Sequence, residues 1–144
     1  MNKIILMALF FVKATLLAQS GAKIVFKDAD NTIDYGSVSK DTDSGVRTFE
    51  FTNTGDAPLI IKDVHSTCGC TVPSKPSGEI LPGKTDVITV KYNMNPGPIR
   101  KTITVETNAV NVEGGMVALK IKGEVVVKQE VNLLEKKKSP IQLK

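Results

Sequence analysis

The sequence predicts an all-β protein that folds as a single β-sandwich of about seven strands. Short segments in which apolar and polar residues alternate recur between turn-forming residues, and long helical patterns are absent between the two ends of the chain. At 144 residues and 41% apolar content, the chain has room for one ordinary domain with a single core. A closed barrel is the main alternative to the sandwich.

The predicted strands follow one another at intervals of roughly ten residues, which is the spacing typical of a sandwich. They cover residues 23–27, 32–38, 46–53, 59–64, 85–92, 99–107 and 116–127.

The first four strands are bounded by turn-forming residues. Gly36 closes the second, and the third ends at Asn53-Thr54-Gly55-Asp56, which has the composition of a turn. The fourth is almost continuously apolar and suits a central strand, with Pro58 at its entrance. The strand-like pattern of this part of the chain ends at Cys68.

The last three strands alternate more clearly than the first four. Residues 73–82 are rich in Pro, Gly and Ser and are predicted to form a connection, with room for a short edge strand. After it, alternation predicts these inward-facing residues: Ile88, Val90, Tyr92, Ile103, Val105, Val117, Leu119, Ile121 and Val125.

Residues 1–20 are predicted to be a signal peptide. Lys3 is followed by an apolar run over residues 4–12, which is too short to span a bilayer, and Ala18 and Ser20 are both suitable cleavage positions. No cysteine lies nearby to carry a lipid. We therefore expect an exported bacterial protein, periplasmic or extracellular, without a stable membrane anchor after cleavage.

The net charge of +4 belongs to the two ends of the chain. Residues 128–144 form a basic C-terminal tail, whereas the predicted domain at residues 21–127 is almost neutral. Aromatic residues make up 5% of the chain and tryptophan is absent, so rings for stacking on bases or sugars are scarce. These observations argue against nucleic-acid binding.

Residues 78–85 match the spelling of a phosphate-binding loop, with two spaced glycines followed by Lys84-Thr85. Such a loop functions between a strand and a helix, where backbone amides converge on the phosphates. Here a Pro/Ser-rich connection precedes the segment and an alternating strand follows it, and Pro82 removes one amide. We therefore predict a turn at Pro82-Gly83 and no nucleotide site.

Cys68 and Cys70 are the only cysteines, with His65 shortly before them. In an exported protein, a pair of cysteines typically forms a disulfide, and Gly69 would relax the backbone of such a small ring. Alternatively, His65, Cys68 and Cys70 form a soft ligand set for copper(I) or zinc, which would still lack a fourth ligand. Thiol redox exchange is a third reading. Asp63 would share a strand face with His65 only if the strand stays regular.

Several short motifs together resemble the bacterial domain-of-unknown-function family DUF1573. They are Phe51-Thr52-Asn53-Thr54-Gly55, Pro58-Leu59-Ile60-Ile61, Cys68-Gly69-Cys70-Thr71, Leu81-Pro82-Gly83-Lys84 and Thr107-Asn108. The resemblance covers residues 26–124. It implies an exported, immunoglobulin-like sandwich of the major-sperm-protein and pilus-chaperone kind, and it implies no activity.

From these observations we expect a non-enzymatic binding or scaffold module of the bacterial cell envelope. It would hold an envelope or extracellular protein by its sheet edges or end loops, and it needs no cofactor. The alternative function is metal binding, with copper or zinc, or thiol redox chemistry through the Cys-Gly-Cys motif.

Overall fold

A computed structural model describes residues 20–127, which fold into two β-sheets. Nine strands and two single-turn 3₁₀ helices follow one another in the described chain. The strands are β1 (Ile24–Phe26), β2 (Thr32–Val38), β3 (Val46–Asn53), β4 (Leu59–Ser66), β5 (Thr71–Ser74), β6 (Glu79–Ile80), β7 (Thr85–Tyr92), β8 (Gly97–Thr107) and β9 (Met116–Val125). The short helices are Ala29–Asn31 and Glu113–Gly115.

The four-stranded sheet has the order β1-β3-β7-β5, and all of its pairs are antiparallel. The five-stranded sheet has the order β2-β9-β8-β4-β6, in which the pairs are antiparallel except for β2 and β9. That parallel pair joins the second strand of the described chain to its last strand. The prediction of an immunoglobulin-like sandwich is confirmed.

The core consists of the inward-facing apolar residues of both sheets. Phe49, Phe51, Ile88, Ile103 and Leu119 are completely buried, as alternation predicts. The ring of Phe26 packs against both core phenylalanines of β3, with centroid distances of 6.5 and 5.6 Å. Burial of these side chains provides the main driving force for holding the two sheets together.

Asn53 is a polar residue within this core, and its side chain connects the two sheets. Its amide nitrogen donates to the carbonyls of Ala57 and of Ile80 in β6, each at 2.8 Å. Its carbonyl oxygen accepts from the amides of Gly55 and Lys23 at 3.0 and 3.3 Å. The carboxamide is fully hydrogen-bonded, so its burial is compatible with a stable fold.

The seven predicted strands all form, but two short strands join them. β6 lies at a sheet edge within residues 73–82, the segment predicted as a connection with room for a short edge strand, and β5 overlaps the start of that segment. β4 extends two residues beyond its predicted end. β5 pairs only with β7 and therefore tolerates Pro73, which has no amide to donate. The observed count is therefore nine strands rather than about seven.

The predicted signal peptide lies outside the described residues apart from Ser20, and so does the predicted tail at residues 128–144. Within residues 20–127, no helix is long and apolar enough to cross a membrane.

Candidate functional site

The Cys-Gly-Cys segment forms the corner at which the chain crosses from β4 in one sheet to β5 in the other. Cys68 and Cys70 are joined by a disulfide bond, and both are partly exposed. The Asn93 amide donates to the Cys70 carbonyl at 3.0 Å, which ties the corner to the loop after β7. A Cβ at Gly69 would meet open space, and its φ is not positive, so this geometry does not require a glycine.

His65 lies on β4 and points away from the core, with half of its side chain exposed. Its Nδ1 lies 3.4 Å from Asp63 Oδ2, so these two residues do share the outer face of the strand. Across the sheet, Asp63 pairs directly with Glu106 of β8. The ligand atoms of Asp63, His65 and Glu106 all lie within 4.8 Å of one another.

The structure thus groups His65 with two carboxylates, while the two cysteine sulfurs are bonded to each other. A metal site of His65, Cys68 and Cys70 would first require reduction of that bond, because the thiolate is the metal ligand. The hypothesis of such a site therefore applies to the reduced protein, and it stays a prediction. Glu106 was missed because it comes from a strand forty residues further along the chain.

The outer face of the four-stranded sheet carries few charges, and we call it the Val/Thr face. The Nζ of Lys27, directly after β1, lies 3.4 Å from Oε1 of Glu50 on this face. Register and alternation place eleven side chains on it: Val25, Val46, Thr48, Glu50, Thr52, Val72, Ser74, Thr85, Val87, Thr89 and Lys91. Four are exposed valines, led by Val72 at 63%. The Oγ1 atoms of Thr52 and Thr85 lie 2.8 Å apart across β3 and β7.

The outer face of the five-stranded sheet is charged on each of its longer strands, and we call it the charged face. Its ionisable residues are Asp34, Asp63, His65, Arg100, Glu106, Lys120, Lys122 and Glu124. Lys122 Nζ lies 3.4 Å from Asp34 Oδ2. An open cleft of about 780 Å³ borders Arg100, Lys120 and Lys122.

The four sheet edges of the described domain are all blunted. The Asn111 side chain caps β1 by accepting from the Ile24 amide and donating to its carbonyl, both at 2.9 Å. β5 contains Pro73, β2 is interrupted by a bulge between Asp34 and Ser37, and β6 has two residues. Natural sheets use such devices to prevent the addition of a further strand.

The segment that spells a phosphate-binding loop is the turn between β6 and β7. The Lys84 amide donates to the Leu81 carbonyl at 3.0 Å, and Gly83 has a φ of 76°, which suits a Pro-Gly turn. β7 begins directly at Thr85. The predicted turn is confirmed.

A partly buried charge cluster secures the connection between β2 and β3. The Tyr35 hydroxyl donates to the Gly45 carbonyl at 2.8 Å, and the Arg47 guanidinium lies 4.1 Å from the centroid of the Tyr35 ring. Arg47 also contacts Asp43 with both of its terminal nitrogens, at 2.7 and 3.1 Å. The Arg47 hydrogen bonds, followed by the Gly45 amide, lower the pKa of Asp43. This arrangement positions a loop and holds no open site.

A sequence model of DUF1573, described as a family of proteins of unknown function, matches residues 26–125. The chain belongs to the DUF1573 family. Its match lies entirely within the sandwich and includes the disulfide corner, the charged face and all of the Val/Thr face except Val25. None of the curated proteins matches the chain.

Two solved structures share the fold of this DUF1573 domain. A protein of unknown function from Porphyromonas gingivalis W83 has a TM-score of 0.62 and 18% identity, over 77% of this chain and 50% of that one. A human CEP192 domain, the ASH/PapD-like domain 7, has a TM-score of 0.52 and 12% identity, over 72% of this chain and 85% of that one. At such identities the similarity shows the fold alone. The chain spans half the length of the Porphyromonas protein.

Proposed function

We propose that this domain is an exported, non-enzymatic binding module of the bacterial cell envelope that holds a protein partner on its Val/Thr face. One observation carries the proposal. Val25, Val46, Val72 and Val87 project from a single sheet face, with exposed fractions between 37% and 63%. Their cross-strand neighbours on this face are Thr52, Glu50 and Lys91, so the valines alternate with polar side chains. Protein interfaces taken as a whole have a similarly mixed composition, which supports a protein partner for this face.

The residue composition of the face fits the centre of a protein interface. Such centres are depleted of charged residues, and here Glu50 and Lys91 are the only charged side chains among the eleven. Threonine and valine are also stiff at χ1, so their burial costs little side-chain entropy. A rigid, weakly charged sheet face needs little reorganisation to bind a partner.

The sequence suggested that a partner binds at the sheet edges or the end loops. Because all four edges are blunted, we place the proposed contact on a sheet face instead. A partner strand would find few continuous unpaired backbone groups, because β1 is capped and β5 contains a proline. Among the described residues, every aromatic ring lies in the core or packs against it. This favours a protein partner over a sugar or a nucleic acid, which would stack on exposed rings.

The test places charge on the proposed contact surface. Wild-type protein and a Val72→Lys/Val87→Lys variant would capture proteins from cell-envelope extract, each with and without residues 128–144. The matched control, Thr102→Lys/Thr104→Lys, adds the same charge to the charged face. We expect a specific partner that is retained by the control and lost at least about tenfold by the valine variant.

Three outcomes would contradict the proposal. Capture of no specific partner, or a partner that both variants retain equally, would remove the Val/Thr face as a binding surface. Concentration-dependent dimerisation in analytical ultracentrifugation that the valine variant abolishes would show that the face pairs with a second copy. Circular dichroism of both variants checks that the fold is preserved.

A second candidate function is thiol exchange through Cys68 and Cys70, which is favoured by the partial exposure of their bond at a surface corner. Intact mass before and after alkylation, with native mass in the presence of copper or zinc, would count free thiols and any metal held by His65 with the reduced cysteines. Equilibration with glutathione would then give the potential of the pair. A potential below about −300 mV indicates a structural bond and would exclude exchange.

A further inference from the structure

Asp63, His65 and Glu106 bring three metal-ligating side chains together on the charged face. Two of them lie on β4 at positions i and i+2, and Glu106 is the direct partner of Asp63 on β8. Their ligand atoms lie within 4.8 Å of one another, and His65 Nδ1 is 3.4 Å from Asp63 Oδ2. The backbone at all three positions is fixed by the β4–β8 ladder, and Asp63 and His65 are exposed while Glu106 is half-buried.

The two carboxylates are unfavourable neighbours without a cation. Like charges directly opposite each other on neighbouring strands destabilise a sheet. In the described part of the chain, no lysine or arginine nitrogen lies within 4.0 Å of either carboxylate, although the same face pairs Lys122 with Asp34. The next residue in their row, on β9, is the uncharged Met116. A bound divalent cation would offset this repulsion.

The donor atoms select a class of cation. One imidazole nitrogen with two carboxylate oxygens is a ligand set that zinc accepts, with water completing the coordination. Magnesium and calcium prefer oxygen ligands throughout, and copper(I) prefers sulfur. The imidazole therefore favours a divalent transition-metal ion over the hard cations.

We propose that Asp63, His65 and Glu106 form a surface site for a divalent transition-metal ion, with zinc as its representative. The site differs from the metal site suggested by the sequence, because it takes His65 but neither cysteine and is complete while the Cys68–Cys70 bond is intact. It is also independent of partner binding on the opposite face.

The experiment is a calorimetric titration of tag-free, oxidised protein with zinc chloride. His65 is the only histidine in the sequence, so NMR signals of its imidazole report binding at this site without assignment. We expect one zinc per chain, shifted imidazole signals, and no comparable binding of magnesium or calcium. His65→Ala, Asp63→Asn and Glu106→Gln should each weaken zinc binding by at least about tenfold.

Two controls separate loss of the site from other effects. Asp41→Asn removes an exposed carboxylate elsewhere and should bind zinc as the wild type does. Glu106→Gln removes the like-charge contact, so in EDTA it should melt at or above the wild-type temperature while failing to bind zinc. Weak binding by this variant therefore cannot be attributed to unfolding.

Three results would overturn the proposal. One is the absence of zinc binding by the oxidised protein. Another is binding that His65→Ala leaves unchanged, which would place the metal elsewhere. The third is binding that appears only after reduction and disappears in Cys68→Ser/Cys70→Ser, which would support the site of His65 with the two cysteines instead.

Discussion

The outer faces of the two sheets belong to the same sandwich but differ in chemistry. The Val/Thr face carries valine and threonine on neighbouring strands, with Glu50 and Lys91 as its charged residues. The charged face carries an ionisable residue on each of its four longer strands, and it holds the group of Asp63, His65 and Glu106. On both sheets these outward side chains alternate with inward side chains that are mostly apolar.

This difference teaches that the fold leaves the outer faces open to selection for function. The inward-facing residues of β3 and β8 are buried to a similar extent. The outward-facing residues of β3 are mostly uncharged, whereas those of β8 include Arg100 and Glu106. Strand propensity favours valine and threonine alike on the first face, where Val72 keeps 63% of its side chain exposed. The predictions below test how far the outer faces are independent of stability.

The largest expected effect separates the inner side of the four-stranded sheet from its outer side. Phe51→Ala should lower the free energy of unfolding by about 3–5 kcal/mol, because Phe51 is completely buried. Val87→Ala should change it by less than about 1 kcal/mol. Urea denaturation measures both. A loss from Val87→Ala that approaches that of Phe51→Ala would mean that the face serves the fold.

A second effect concerns the link between the two sheets. Asn53→Ala should cost about 2–4 kcal/mol, because it leaves the buried Ile80 carbonyl and the partly buried groups of Ala57 and Gly55 without their hydrogen bonds. The matched control is Asn108→Ala, which removes two bonds at a more exposed position and should cost about 1 kcal/mol. Equal losses of unfolding free energy for the two variants in urea denaturation would show that the buried Asn53 hydrogen bonds stabilise the fold no more than the exposed ones of Asn108.

A third effect concerns the corner that joins the sheets. The Cys68–Cys70 bond closes a loop of three residues, so the chain-entropy model assigns it about 1.5 kcal/mol. Reduction, or Cys68→Ser/Cys70→Ser, should therefore lower the free energy of unfolding by about this amount and leave the fold intact. Urea denaturation followed by circular dichroism, with and without reductant, measures this loss of free energy. Global unfolding on reduction would show that the corner is essential to both sheets.

The smallest expected effect is the difference between two ion pairs. Asp43 and Arg47 form a partly buried pair, and Asp34 and Lys122 form an exposed pair on the charged face. Asp43→Asn should cost about 0.5–1 kcal/mol near pH 7, because it removes the negative charge and the oxygen that accepts from the second terminal nitrogen of Arg47. Asp34→Asn, which removes the exposed pair with Lys122, should cost much less.

The pH dependence of the first pair follows from the lowered pKa of Asp43. Because the folded state binds this proton less readily, the contribution is complete above the ordinary aspartate pKa of about 3.9. It is lost as the pH falls through the lowered folded value. The wild type should therefore lose stability more steeply than Asp43→Asn below about pH 4. Parallel acid profiles in thermal melts would contradict this assignment.

Much of the fold could be predicted because apolar and polar residues alternate along most of its strands. The bounds of β2, β3 and β7 agree with prediction to the residue, since turn-forming residues lie at their ends. β5 could not be predicted, because it has four residues, contains Pro73 and depends on pairing with β7 for its definition. β6 has only two residues and carries no periodic signal.

The candidate site was predictable only in part, because sites depend on register between distant strands. The disulfide was one of three interpretations of the local sequence. The outward position of Asp63 and His65 depends on the bulge between Ile61 and Asp63, and Glu106 joins these two residues through the β4–β8 register. Asn53 did have a usable signal. It continues the inward positions of Phe49 and Phe51, so alternation places a polar side chain in the core.

The parallel pairing of β2 with β9 has a consequence for how the chain acquires its structure. β9 lies between β2 and β8. The five-stranded sheet therefore lacks this one of its interior strands until residue 125 is available. During synthesis from the N-terminus, β2 must wait for almost the entire domain before it finds its neighbour. A ribosome-bound chain that ends before Met116 therefore exposes two unmatched strand edges. Folding during synthesis is therefore completed only when the ten residues of β9 become available.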